Sequence, residues 1–328
     1  MPDLFGESAM SRDDETRVAV ASRSFSRHPL LRDELTQRYG QVTFNETGAS
    51  LSGESLVAFL DGHDKAITAL ERLNGDVLAR LPRLRVVGKY GVGLDMIDLP
   101  AMSALGKKLG WTGGVNRRSV SELVIAATIS LLRHVPAANQ LVRDGGWRQL
   151  MGRQLSQRVV GIVGCGHIGK DLAVLLRAFG CRVLAHDIKA FPDFYAAHGV
   201  EPMGLDALLQ QADVVTLHLP GDESTRNILD QRRLRLMRQG ALLINMARGG
   251  LVDEAELKSL LVDGHLGGAA FDVFAAEPPT DPDLLRLPNM LALPHIGGSA
   301  EEAVVAMGRA AIAGLDDYRD PLDYLVSP

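Results

Sequence analysis

The chain has 328 residues, 46% of them hydrophobic and 23% charged, with a formal net charge of −5. That length suits two globular domains, and the acidic balance offers no basic surface for nucleic acid. The two cysteines, Cys165 and Cys181, exclude a disulfide framework, point to a reducing compartment and lack the companions a metal would need, so no metal is expected.

Residues 1–15 are polar and acidic without an apolar centre, so they read as a loose tail and not as a signal peptide. Strand and helix signals then alternate. Val18-Ala19-Val20 reads as a strand, and residues 30–39 have helical apolar spacing that stops at Gly40. Residues 42–44, 66–70 and 84–88 are further strands, with helices around 54–61 and 75–81. This alternation predicts an α/β domain with a parallel sheet. The turn Lys89-Tyr90-Gly91-Val92-Gly93-Leu94-Asp95 follows the last strand. Its glycines and lysine suit either an anion-binding loop or a plain βα turn.

Residues 119–133 predict a helix, with Ser119 as N-cap and Glu122 completing a capping box. It is apolar all round and so is expected to be buried, at a contact between domains or subunits. Its apolar run is interrupted by Thr128 and Ser130 and is too short to span a bilayer. No membrane partner is expected, and the location expected is the cytoplasm. A second helix, 137–143, leads to Gly145-Gly146-Trp147.

From Val159 the pattern sharpens. A β-branched run enters Gly164-Cys165-Gly166-His167-Ile168-Gly169, an apolar helix follows as far as Gly180, and a second run ends on Asp187. This is a βαβ unit with a G-x-G-x-x-G turn. Gly164 allows the tight turn, Gly166 lets a pyrophosphate approach the backbone, and Gly169 lets helix and strand pack closely. The helix N-terminus presents free N–H groups to the phosphates. Asp187 stands 18 residues beyond Gly169, where a carboxylate accepts both ribose hydroxyls and repels a 2′-phosphate. NAD is therefore expected in preference to NADP. The plainer reading is a tight turn that binds nothing.

Beyond Asp187, helices are predicted at 205–210, 231–237 and 254–261, the last opened by a capping box of Asp253 and Glu256. Strands are predicted at 214–219, 241–246, 269–273 and 290–293, and a final helix at 300–315. Ligands of open α/β sheets lie beyond the carboxyl ends of the strands. Three of these strands end in reactive residues, Arg248, then Asp272 with Glu277, then His295. An arginine fork grips a carboxylate. A histidine moves the hydroxyl proton near neutral pH. A carboxylate behind it fixes the tautomer and stabilises the imidazolium. With a nicotinamide cofactor, that set suits oxidation of a 2-hydroxy acid or reduction of a 2-oxo acid. Taken singly, each residue has a plainer reading: a surface ion pair for Arg248, a structural histidine for His295, a turn acid for Glu277 and a loop cap for Asp272.

The segments 86–98, 114–123, 161–169, 245–254, 270–278 and 294–298 together resemble the D-isomer-specific 2-hydroxyacid dehydrogenase family, nearest its phosphoglycerate dehydrogenase-like members. The resemblance implies that Arg248, Glu277 and His295 are catalytic. It implies that Gly164, Gly166, His167, Ile168 and Gly169 line the pyrophosphate and that Asp187 holds the ribose. Leu219, Pro220, Met246, Ala247, Asp272, Gly297 and Gly298 would surround the cofactor, with Asp272 on the nicotinamide carboxamide. Val92 and Gly93 would offer N–H groups to the substrate carboxylate, alongside Lys89 and Arg248. The implied architecture is two doubly wound parallel-sheet domains. A Rossmann NAD-binding domain, 117–296, is inserted into a flavodoxin-like substrate domain of 1–116 and 297–328, with the active site in the cleft. Members are dimers joined through their nucleotide domains, so a homodimer is expected.

Some positions depart from the family pattern. Met96 replaces a frequent Asn, Met246 a frequent Cys or Thr, and Lys89 an Arg, while strand 66–70 ends without a second basic residue. Whether a phosphate is recognised stays open between 3-phosphoglycerate oxidation and glyoxylate or hydroxypyruvate reduction. The chain ends soon after Leu315, so no regulatory C-terminal domain is expected. A corepressor-like NAD sensor on the same fold is the alternative of another class. It would carry a partner-peptide groove and a long disordered tail, and the short polar N-terminus favours the enzyme.

Overall fold

A computed structural model describes residues 12–325. The chain divides into two compact units. One holds the chain up to Val115 and again from Val304, and the other holds Asn116–Ala303.

The first unit is a sheet of β1 (Asp13–Val20), β2 (Tyr39–Phe44), β3 (Lys65–Thr68), β4 (Val86–Lys89) and β5 (Lys108–Gly110), in the order β2-β1-β3-β4-β5. All its pairings are parallel, and this is the flavodoxin-like doubly wound order. Side chains alternate faces along each strand. Ala19, Ala66, Val87 and Leu109 pack with Leu56, Leu60, Leu78 and Leu81 on one face. Val18, Val20 and Ile67 pack with Phe25, Leu31, Leu35 and Leu315 on the other. A Cβ on Gly88 would lie 2.4 Å from the Ala311 carbonyl oxygen, and one on Gly110 1.8 Å from that of Gly314. The last helix, Glu301–Ala313, thus rests its C-terminal backbone directly on β4 and β5.

The second unit contains β6 (Val159–Val163), β7 (Arg182–His186), β8 (Val200–Pro202), β9 (Val214–Leu217), β10 (Ala241–Asn245), β11 (Leu266–Phe271) and β12 (Met290–Ala292). Their order is β12-β11-β10-β9-β6-β7-β8, again wholly parallel. Read from β8 it is the Rossmann order with one strand added. Helices cover both faces, and so β9 and β10 are buried along their whole length. Val160, Ile162, Leu242 and Ile244 meet Val124, Leu172 and Leu176 on one face. Val215, Leu217, Leu243 and Phe271 meet Leu208, Leu234, Leu257 and Leu260 on the other. Each fully buried leucine contributes roughly 1.5–3 kcal/mol.

Several local expectations change. Of the expected tail, residues 1–11 lie outside the described residues, and Asp13, Asp14 and Glu15 belong to β1. Gly40 does not stop the helix Pro29–Arg38 but continues into β2. The helix at 119 begins two residues earlier, as Arg117–Leu132, with Asn116 at its N-cap. Ser119 is therefore inside the helix, and its hydroxyl donates 2.7 Å to the Gly297 carbonyl, so no capping box forms. Nor is this helix buried all round. Val120, Val124, Ala127 and Leu132 are buried against the sheet while Arg117, Arg118, Glu122 and Ala126 are exposed. Asp253 does cap its helix, accepting from the Glu256 N–H at 3.0 Å. The Glu256 carboxylate turns to Arg235 at 2.8 Å and does not return to the cap. Among the described residues no single helix is long and apolar enough to cross a membrane.

Candidate active site

In the second unit every strand is parallel, so all the carboxyl ends lie on one edge. The reversal of strand order falls between β6 and β9, which is where a ligand crevice opens in such sheets.

The turn leaving β6 is built by its glycines. Gly164 has φ +97, and a Cβ there would stand 2.5 Å from the His218 carbonyl oxygen. A Cβ on Gly169 would stand 2.2 Å from the Gly164 carbonyl oxygen, so the helix His167–Ala178 is seated against its own turn. Gly166 is different. Its φ is −76, outside the left-handed region, and a Cβ there would meet nothing within 4 Å. Packing leaves that position open, and the open space is where an anion would approach the helix N-terminus. His167 is exposed and Ile168 partly so. Asp187, at the end of β7, accepts the Cys165 N–H at 2.6 Å and the Lys189 N–H at 2.8 Å. The carboxylate is thereby fixed beside the turn at partial exposure. The residues present fit a dinucleotide.

Cys165 and Cys181 are free and buried, and burial pushes each thiol up to about 11. At the end of β9, His218 places Nε2 3.0 Å from the Thr216 hydroxyl, while its buried Nδ1 has no partner among the described residues. Burial pushes this imidazole down to about 3. Leu219 is partly exposed and Pro220 exposed.

The strands β10, β11 and β12 are neighbours, and each delivers one reactive side chain. After β10, Met246 and Ala247 are buried and Arg248 is partly exposed. The Asn245 amide closes that turn, accepting the Ala247 N–H at 3.1 Å and donating to the Arg248 carbonyl at 2.9 Å. Arg248 Nη1 donates to the Ala247 carbonyl at 2.7 Å. A Cβ on Gly249 would sit 1.8 Å from the Phe274 carbonyl oxygen, so the turns after β10 and β11 pack backbone to backbone.

After β11, Glu277 Oε1 accepts the Phe274 N–H at 3.2 Å. Its Oε2 lies 2.9 Å from His295 Nδ1. His295 stands in the left-handed region at φ 57. Asp272 explains how that strained loop is held: its two oxygens accept the Ile296 and Gly297 N–H groups, each at 2.7 Å. Asp272 is 2% exposed. Burial pushes its carboxyl above the usual range, against the pull of those two N–H groups. Gly297 is buried and Gly298 partly exposed.

In the first unit, Lys89 ends β4, and Val92 and Gly93 follow it. Lys89 is 4% exposed, and its Nζ donates to the Ala69 carbonyl at 2.6 Å and the Tyr90 carbonyl at 3.3 Å. Val92 and Gly93 are partly exposed. Asn245 was not among the predicted site residues. Its position as the last residue of a buried strand before a turn is the one sequence signal that points to it.

The model of the D-isomer specific 2-hydroxyacid dehydrogenase NAD binding domain matches residues 125–297. A D-3-phosphoglycerate dehydrogenase of Mycobacterium tuberculosis is 35% identical over 290 residues, which is 82% of this chain and 55% of that protein. The chain thus spans about half the length of the curated relatives it matches. Among solved structures, a Polaromonas protein described as a D-isomer specific 2-hydroxyacid dehydrogenase, NAD-binding, is similar. It has a TM-score of 0.84 at 29% identity and covers 92% of this chain and 95% of its own. A Thermus thermophilus protein gives a TM-score of 0.79 at 31% identity, covering 94% of this chain and 97% of that one. The segments singled out from the sequence, the two doubly wound sheets and the matched NAD binding domain agree: the chain belongs to the D-isomer specific 2-hydroxyacid dehydrogenase family.

Proposed function

We propose that this protein is an NAD-dependent oxidoreductase that interconverts a small D-2-hydroxy acid and its 2-oxo acid. The reading rests above all on one contact, His295 Nδ1 at 2.9 Å from Glu277 Oε2. That bond occupies one ring nitrogen and leaves Nε2 to exchange a proton with substrate, the arrangement an acid–base histidine needs. In reduction, Nε2–H donates to the carbonyl oxygen as it becomes a hydroxyl, and the Glu277 charge stabilises the imidazolium beforehand. In oxidation the same nitrogen accepts the proton. Arg248 grips the substrate carboxylate through its fork. Val92 and Gly93 offer N–H groups to a substrate carboxylate, with Lys89 as a cation behind their turn. The cofactor, when bound, supplies or takes up the hydride. Gly164, Gly166, His167, Ile168, Gly169 and Asp187 hold its adenosine and pyrophosphate side. Leu219, Pro220, Met246, Ala247, Asp272, Gly297 and Gly298 enclose the rest.

In this reading 117–296 is the NAD-binding domain, and 1–116 with 297–328 is the substrate domain. Two copies form a dimer in the cytoplasm. The helix Val135–Arg143, with no buried residue, and the highly exposed Trp147 and Met151 suit an interface. The test is NADH oxidation with glyoxylate, hydroxypyruvate, pyruvate and 3-phosphohydroxypyruvate. Turnover of at least one, lost in His295→Ala by about 10²–10⁴-fold, is the expected result. No turnover of any of the four would overturn the reading.

A further inference from the structure

We propose that Trp111 is a positioning residue that aims the Gly93 N–H at the substrate carboxylate, and that Tyr324 holds Trp111 in place. The proposal rests on the reading of the Val92–Gly93 turn given above. The Trp111 indole N–H donates to the Val92 carbonyl at 3.1 Å. A trans peptide is planar, so its C=O and N–H point in opposite directions. Holding the Val92 oxygen on Trp111 therefore turns the Gly93 N–H away from the indole. The neighbouring peptide is held in the same way. Lys89 Nζ grips the Tyr90 carbonyl at 3.3 Å, which turns the Gly91 N–H away from the lysine. The N–H groups of Gly91, Val92 and Gly93 make no hydrogen bond among the described residues, although the turn is only partly exposed. A turn with its carbonyls clamped and its amides unspent is prepared for an anion.

The indole is itself supported. The Tyr324 ring meets it edge-on, with centroids 5.4 Å apart and planes at 81°. The Tyr324 hydroxyl donates to the Leu109 carbonyl at 3.1 Å, two residues before Trp111. Leu109 also exchanges two main-chain hydrogen bonds with Arg319, each 3.0 Å, so the segment around 319–324 is annealed to β5. The C-terminal segment, Trp111 and the carboxylate turn form one continuous line of contacts within the first unit.

Trp111→Phe keeps a ring edge for Tyr324 and removes the donor. With the best oxo acid of the four-compound panel, KM should rise about threefold to tenfold, the effect of one neutral hydrogen bond. kcat and the KM for NADH should stay within about twofold, because the lost interaction holds substrate equally before and during reaction. Tyr324→Leu leaves the indole in the chain and should raise the same KM. The double variant should be no worse than Trp111→Phe alone, since both act through one peptide. A rise in NADH KM equal to that for oxo acid, a fall in kcat alone, or additive effects in the double variant would overturn the role of Trp111 while leaving the functional reading intact. An inactive wild type would overturn both.

Discussion

Replacing Glu277 by glutamine tests the pairing at the centre of the site. The carboxylate accepts twice, from the Phe274 N–H at 3.2 Å and on His295 Nδ1 at 2.9 Å. An amide keeps the shape but has one oxygen for two donors, so one bond is lost whichever way it flips. The charge is lost as well. Two unit charges about 4 Å apart interact by about 1 kcal/mol in water and about 4 kcal/mol at an effective dielectric of 20. The side chains are 51% and 40% exposed, so the lower end applies, about 1 kcal/mol. Reduction requires the imidazolium, and its share falls as pH rises. Removing the stabilising charge therefore moves the alkaline limb of the reduction profile to lower pH, a loss of about fivefold on that limb for about 1 kcal/mol. The acidic limb of oxidation, which requires neutral imidazole, moves down with it. The assay is kcat/KM against pH in both directions for wild type and Glu277→Gln. A variant whose activity drops equally at every pH, with both limbs unmoved, would refute the role given to the Glu277 charge.

Glycine substitutions in the turn after β6 should separate binding from folding. Gly166→Ala should melt like the wild type yet lose at least about tenfold in NAD affinity, about 1.4 kcal/mol. Gly169→Ala should lower stability by about 1–3 kcal/mol, since its Cβ would lie 2.2 Å from the Gly164 carbonyl oxygen. Calorimetry and NAD titration of both variants check this, and equal melting temperatures would contradict it. With Asp187 fixed beside that turn, NAD should exceed NADP in kcat/KM by at least about tenfold, and equal use of the two would refute the reading of Asp187. His218 is held neutral down to about pH 3. Its contribution to stability is present above the unfolded value of about 6.5 and lost as pH falls toward 3. The pH dependence of urea unfolding between pH 7 and 4 should flatten in His218→Asn, and an unchanged slope would argue against it. A fragment of residues 117–296 should fold, bind NAD and turn nothing over, and an unfolded circular dichroism spectrum would sink the domain assignment.

Local patterns fixed much of the architecture. The alternation of β-branched runs with helical spacing was enough to imply parallel sheets, because a buried strand and an amphipathic helix each declare their own period. The G-x-G-x-x-G turn and the acid closing the next strand were legible because glycine spacing and strand ends are contiguous in the chain. Short elements such as β5, β8 and the helix Pro192–His198 were not, since three to seven residues carry too little periodicity. Tertiary structure alone decided which partners the legible residues take. Ser119 looked like a cap and instead donates to Gly297, 178 positions away. Lys89 was legible as a cation beside a glycine turn, but its contacts with the carbonyls of Ala69 and Tyr90 come from the fold. Asp272 holds the backbone of the loop that carries His295, and Trp111 belongs to no sequence motif, so only the fold sets its indole on the Val92 carbonyl. Propensity and periodicity act over a turn or two of chain. The hydrogen bonds that give these side chains their roles join residues that the order of the strands in the sheet brings together.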